Sequence, residues 1–136
     1  MIYLQLPAEC NPPDFSHLNP FKCVVIIEDP VTNEWRKLIS DWLVDCGCKY
    51  MMAWGSDCSL WDDAVDFACI EKHNYETTPN NEIVMTTWHE NSTLEEVFFY
   101  AKNFASHEHH TFENFLVLHI SAVNKENVLK KTFLGA

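Results

Sequence analysis

Phe21-Lys22-Cys23-Val24-Val25-Ile26-Ile27-Glu28-Asp29 is an unbroken β-branched run closed by two acids. It does not alternate between polar and apolar residues, so it suits a strand buried on both faces, as in the middle of a parallel sheet. A helix follows. Thr32 is placed to cap it, Trp35, Leu38, Ile39, Trp42 and Leu43 repeat at the spacing of one buried face, and Gly47 supplies the stop. Strand then helix then strand is the unit of a right-handed crossover, and the rest of the chain repeats it.

Downstream, Lys49–Trp54 reads as a second strand. Ser59 with Asp62 makes a capping-box-like start for a helix striped with Trp61, Ala64, Val65, Ala68 and Cys69, which fades by His73. Thr77-Thr78-Pro79-Asn80-Asn81 is a turn signal, and Glu82–Trp88 a third strand. Ser92 with Glu95 opens a helix with Leu94, Val97, Phe98, Ala101, Phe104 and Ala105 inward, closed by His107–His110. Phe115–Ile120 is a fourth strand, and Asn124 is placed to cap a last helix carrying Val128, Leu129 and Phe133.

Upstream, Ile2–Leu6 is a short strand candidate. Pro7, Pro12, Pro13 and Pro20 make residues 1–20 an N-terminal arm or edge element, because proline cannot donate to a sheet ladder. The expected fold class is therefore α/β. Its form is a three-layer sandwich with a mostly parallel four-stranded sheet of Rossmann-like or flavodoxin-like type plus that arm, in one domain spanning residues 1–136.

In such a sheet ligands sit at the crest, the rim formed by the strand C-termini. The crest expected here is acidic: Glu28 and Asp29, then Asp57, Asp62 and Asp63, then Glu90, Glu95 and Glu96. Phosphate cradles need glycines and uncompensated helix N-termini, whereas the chain has three glycines and places carboxylates at its helix starts. No cofactor is expected. With 20 acidic against 9 basic side chains, a net charge of −11 repels nucleic acid and anionic membranes and favours a basic protein partner.

The N-terminus lacks the pattern of a secretory signal, so the six cysteines are expected to be reduced thiols in a cytoplasmic, soluble protein. Cys23 and Cys69 fall on apolar positions of the core. Cys46 and Cys48 flank Gly47 without the further ligand pair that a zinc site requires. No apolar stretch approaches the roughly 20 residues that span a bilayer.

Three groups of side chains have chemical potential. His89, beside Glu90 and with Asp29 and Cys58 at neighbouring strand ends, is either a general base or metal ligand in a crest pocket or a histidine bonded to a nearby loop. Cys58 itself follows a Gly-Ser-Asp turn that also reads as a helix cap. His107, His109 and His110 have the composition of a metal site, and equally that of histidines favoured at a helix C-terminus. His119 alternates with Leu118 and Ile120 and reads as a hydrogen-bonded sheet histidine. Trp54 and Trp88, at two strand ends, either form the aromatic centre of a binding surface or seal the sheet.

Residues 23–47, with Val24-Val25-Ile26-Ile27-Glu28-Asp29-Pro30 before an amphipathic helix, resemble the opening of a response-regulator receiver domain. The resemblance stops there, because Trp88 and Ser121 stand where a receiver carries its phospho-accepting aspartate and its lysine. A longer resemblance rests on Tyr50-Met-Met-Ala-Trp-Gly55, Asp57-Cys-Ser59 with Trp61-Asp-Asp63, and Met85-Thr-Thr-Trp-His-Glu90 with Leu94-Glu-Glu-Val-Phe98. These motifs are similar to those of a family of small bacterial proteins known only as a domain of unknown function. It implies a bacterial origin and brings no catalytic residues.

The function expected from the acidic crest is a protein-interaction domain, most concretely an immunity-type inhibitor of a basic toxin or nuclease. Asp29, Trp54, Asp57, Asp62, Asp63, Trp88, Glu90, Glu95 and Glu96 would form its contact surface. The alternatives are a small enzyme or metal-dependent hydrolase built on His89, Glu90, Asp29 and Cys58, and a degenerate receiver-like signalling module.

Overall fold

The computed structural model describes residues 1–136. Its strands are β1 (Ile2–Gln5), β2 (Phe21–Ile27), β3 (Cys48–Gly55), β4 (Met85–Trp88) and β5 (Asn114–Ile120). Its helices are α1 (Asn33–Cys46), α2 (Cys58–Lys72), α3 (Leu94–Asn103) and α4 (Glu126–Gly135), with single 3-10 turns at Ser16–Leu18 and Asn80–Glu82. All five strands pair in parallel, in the order β1-β5-β2-β3-β4.

The sheet thus has five strands where four are expected from sequence. The fifth comes from the presumed arm, since Ile2–Gln5 pairs in register with Leu116–His119 of β5. The prolines are still confined to the connection. From Leu6 the chain passes over β5 to reach β2, and Leu6, Phe15 and Leu18 pack on the sheet face that α1 and α2 cover. Trp35 and Trp42 of α1 hold that connection by donating their indole N–H groups to the carbonyls of Cys10 and Pro13, at 2.8 and 2.7 Å.

β2 is central and buried on both sides, as its composition predicts. Cys23, Val25 and Ile27 face α1 and α2 with Ile39, Leu43, Met51 and Trp61, whereas Val24 and Ile26 face α3 and α4 with Met52, Phe98 and Leu129. Trp61 and Phe98 are fully buried, one on each face. Truncating either to alanine would cost about 3–5 kcal/mol.

Thr32 caps α1 by accepting from the Trp35 amide at 3.1 Å, and Gly47 ends it at φ +99°. Other boundaries differ from expectation. Thr93, not Ser92, caps α3, accepting from the Glu96 amide at 3.2 Å. Ser59 does not cap α2, which begins one residue earlier behind a left-handed Asp57. β4 is shorter than 82–88 because Asn80–Glu82 coil into a 3-10 turn. Leu38, Phe104 and Val128, expected in the core, are exposed. Asn124 does serve the start of α4, its Oδ1 accepting from the Glu126 amide at 2.9 Å. No helix is long and apolar enough to cross a membrane.

Candidate functional site at the sheet crest

Two places on the crest are built differently. The first is the switch point between β2 and β5, from which the chain leaves toward opposite faces of the sheet, into α1 and into α4 respectively; β3 and β4 form a second, leaving into α2 and α3. Open α/β sheets have their ligand crevice at such points. Between β2 and β5 it is closed. Asp29 Oδ2 accepts from the Ala122 amide at 3.0 Å, and Glu28 takes the Lys125 ammonium on both oxygens at 3.1 and 3.2 Å.

Beneath that clasp, His119 is fully buried. Its Nδ1 is 2.7 Å from the Tyr3 hydroxyl, which also accepts from the Lys125 amide at 3.1 Å, and its Nε2 lies 3.3 Å from Glu28 Oε1 without hydrogen-bond alignment. Burial raises the Glu28 carboxyl, and Lys125 and His119 together outweigh it, so the group sits below the ordinary carboxylate range. His119 is thus a hydrogen-bonded sheet histidine. Its partners could not be read from sequence because Tyr3, Glu28 and Lys125 lie on three other elements.

The second place is the end of β3 and β4, where a polar cleft of about 470 Å³ opens. Trp54, Gly55, Asp57, Cys58, Ser59, His89, Glu90 and Asn91 line it. Four of the sequence candidates for a binding surface or pocket, Trp54, Asp57, Cys58 and Glu90, meet here with His89. Asp29 does not join them, being held across the sheet at Ala122. Sequence reasoning misses Asn91, which takes a left-handed φ of +60°; the Asn-Ser-Thr run after Glu90 is the turn signal that could have found it.

The cleft does not assemble a Cys/His pair. His89 extends the β4 ladder through its amide, which donates to the Ala53 carbonyl at 3.0 Å. Its ring turns to the α3 side, with Nε2 2.9 Å from Thr87 Oγ1 and the ring edge-on to Tyr100 at 5.0 Å. Burial pulls its basicity down from the ordinary histidine value. Cys58 points to the other side of the sheet, 2% exposed, in the cluster formed by α1 and α2. Burial pushes its thiol up, and the amides of His89, Cys58 and Ser59 only partly offset this.

The carboxylates expected along the crest separate into three kinds. Glu28 and Asp29 are satisfied at the switch point. Asp62 departs from the expectation of an exposed rim acid, for it is 6% exposed on the inner side of α2. Asp57, Asp63, Glu90, Glu95 and Glu96 are exposed, and none has a cation within ion-pair distance. The reason lies in the sequence: residues 50–71 and 73–101 contain no lysine or arginine. Trp88 is 50% exposed, whereas Trp54 is half-buried and donates its indole N–H to the Ser92 carbonyl at 2.8 Å.

His107, His109 and His110 do not end a helix. α3 stops at Asn103, and the histidines form a tight bridge beyond it, between His107 and His110. His107 Nδ1 accepts from the His109 amide at 3.1 Å, leaving Nε2 to donate to the Ile83 carbonyl at 2.8 Å, and His110 Nε2 lies 2.6 Å from the Asn81 carbonyl. Two of these rings, His107 and His110, thereby fasten the segment that precedes β4, and no three His, Cys, Asp or Glu side chains of the chain converge as a ligand set.

The architecture is that of an open parallel α/β domain whose β2/β5 crevice is clasped shut and whose β3/β4 crevice is an open cleft lined by Trp54, Asp57 and Glu90. The chain belongs to the family described as Domain of unknown function (DUF7684), whose model matches residues 1–136. No curated protein and no solved structure matches it.

Proposed function

We propose that the β3/β4 end of the crest docks a basic protein, and that the chain acts as an immunity-type inhibitor masking the cationic surface of a toxin or nuclease. The observation that carries this reading is the set of exposed, unpaired carboxylates in segments devoid of lysine and arginine: Asp57 and Glu90 line the cleft with Trp54, Asp63 lies on α2, and Glu95 and Glu96 lie in the first turn of α3. Unpaired carboxylates steer a cationic partner and set its salt dependence, while an exposed indole supplies the apolar anchor at an interface centre. A catalytic reading of His89, Glu90, Asp29 and Cys58 retains the shared cleft, but it lacks the histidine–thiol geometry and has Asp29 elsewhere.

The test is calorimetric titration of the chain with a panel of small basic nucleases and toxin domains, with inhibition of their activity read alongside, at low and high salt. Binding that weakens steeply with salt and falls at least about tenfold in Trp88→Ala with Glu90→Gln is expected. Association with none of these cationic proteins at low salt, or association indifferent to salt and to both substitutions, overturns the proposal.

A further inference from the structure

β4 is an edge strand, and no other strand of the chain pairs with its outer side. In a parallel ladder the backbone groups of alternate residues face one neighbour. The His89 amide donates inward to Ala53, so the Thr87 groups face β3 as well, and the N–H and C=O of Thr86 and Trp88 face outward. Native edges are usually protected by lysine, proline or a bulge. Met85-Thr86-Thr87-Trp88 has none of these, and Met85 and Trp88 are 44% and 50% exposed.

The flank of this edge is acidic in a particular way. Thr86 and Trp88 point to the α2 side, where Thr86 Oγ1 donates to Asp66 Oδ1 at 2.7 Å. Asp62, one turn earlier on α2 and close to the same threonine, is more than nine-tenths buried, and its Oδ1 has no hydrogen-bond partner in the chain. A buried carboxylate oxygen without a donor costs free energy until a donor arrives. The opposite edge has no such feature, because β1 is Ile2-Tyr3-Leu4-Gln5.

We infer that the free edge of β4 accepts an extended, lysine- or arginine-rich segment of the protein partner as a sixth strand. One cationic side chain of that segment enters beside Asp66 toward Asp62 Oδ1. This rests on the proposed acidic docking surface and specifies how the partner is engaged: main-chain bonds to Thr86 and Trp88 give affinity, and a period-two basic pattern gives selectivity. A second copy of the chain is a poor occupant, because it brings another net charge of −11 to the same place.

The probe is an end-capped peptide, Lys-Val-Lys-Thr-Lys-Val-Lys, followed by amide hydrogen exchange of the full chain. The controls are the same peptide with glutamate for lysine, and one N-methylated along one edge. Exchange at the Thr86 and Trp88 amides should slow at least about tenfold with the lysine peptide and with neither control. Asp62→Asn, which removes the charge and keeps the shape, should weaken binding about fivefold or more. Lysine-peptide binding that leaves both amides unprotected overturns the strand-addition inference while the acidic docking surface stands. So does capture of a basic protein with both amides still exchanging freely. Failure of every cationic probe and protein overturns both. Equal protection by the glutamate peptide, or protection that depends only on the concentration of the chain itself, also overturns the inference, the latter by making the occupant a second copy.

Discussion

Asp29 and Ala122 are joined across the top of the sheet, the carboxylate of one accepting the amide of the other at 3.0 Å, and this bond closes the crevice between β2 and β5. The Glu28–Lys125 pair lies beside it. An acid that sequence reading assigns to a partner or a catalytic pocket is thus spent inside the fold. Asp29→Ala should free the Ala122–Asn124 turn and lower stability by about 1 kcal/mol, while leaving any binding at the β3/β4 cleft unchanged. Urea unfolding together with titration against a basic partner checks both halves.

Asp62 gives the chain a pH response opposite to that of a paired acid. Burial raises its carboxyl above the ordinary value of 3.8. A group whose folded value is raised contributes stability that is present below the unfolded value and lost as pH climbs through the folded one. Stability from this group therefore falls between the ordinary aspartate range and neutrality. Asp62→Asn should raise stability at neutral pH by about 1 kcal/mol or more, with the gain shrinking toward about pH 4. Parallel unfolding curves of the two proteins across that range isolate the effect, since the low-lying Glu28, Asp14 and Glu82 are common to both.

The thiols separate by access. Cys10 is exposed and the other five are buried, with Cys58 raised by burial despite its place at the start of α2. Native protein treated with iodoacetamide at neutral pH should take up a single label, at Cys10, as read by peptide mass spectrometry. Rapid labelling of Cys58 would restore the case for a nucleophile in the cleft.

Gly55 is required by the backbone. It holds φ +110°, and a Cβ placed there would stand 2.3 Å from the Ile27 carbonyl oxygen, which also accepts the Ser56 amide at 2.9 Å. Gly55→Ala should destabilise the fold by at least about 2 kcal/mol and perturb the Trp54–Ser59 wall of the cleft. The readouts are the thermal midpoint and the chemical shifts of the Cys58 and Ser59 amides.

His89 should titrate below the ordinary histidine value of 6.5, because burial disfavours its charged form. For a base lowered in this way the unfolded chain binds the proton more readily, so stability drops as pH falls from 6.5 through the folded value. An imidazole proton chemical-shift titration gives the midpoint directly, and a midpoint above 6.5 would mean that Glu90 and not burial governs the ring.

Much of the layered α/β class was legible in local pattern. The Val24–Ile27 run, the Trp35–Leu43 stripe closed by Gly47 and the strand–helix alternation each report on contacts within a few residues, and those contacts survive in the fold. The readings that the fold changed depended on distant neighbours. Ile2–Leu6 reads as a strand candidate in an arm or edge element, yet the count of four left it out of the sheet because nothing near it in sequence is its partner; β5, more than a hundred residues away, makes it the fifth strand. Asp62 looks like a rim acid because it shares a segment with Asp57 and Asp63, yet helical geometry turns it inward. His107–His110 have the composition of a ligand set, and the carbonyls of Asn81 and Ile83 claim two of the rings.

What the sequence determined by itself is charge and periodicity: an excess of acids, two long segments without a cation, and apolar spacings that set where strands and helices form. Which acids are left to face solvent was decided only by the tertiary structure, because a carboxylate's partner is chosen by proximity in space. Strand order brought Ala122 and Lys125 to Asp29 and Glu28, and brought no cation to Asp57, Glu90 or the open edge of β4.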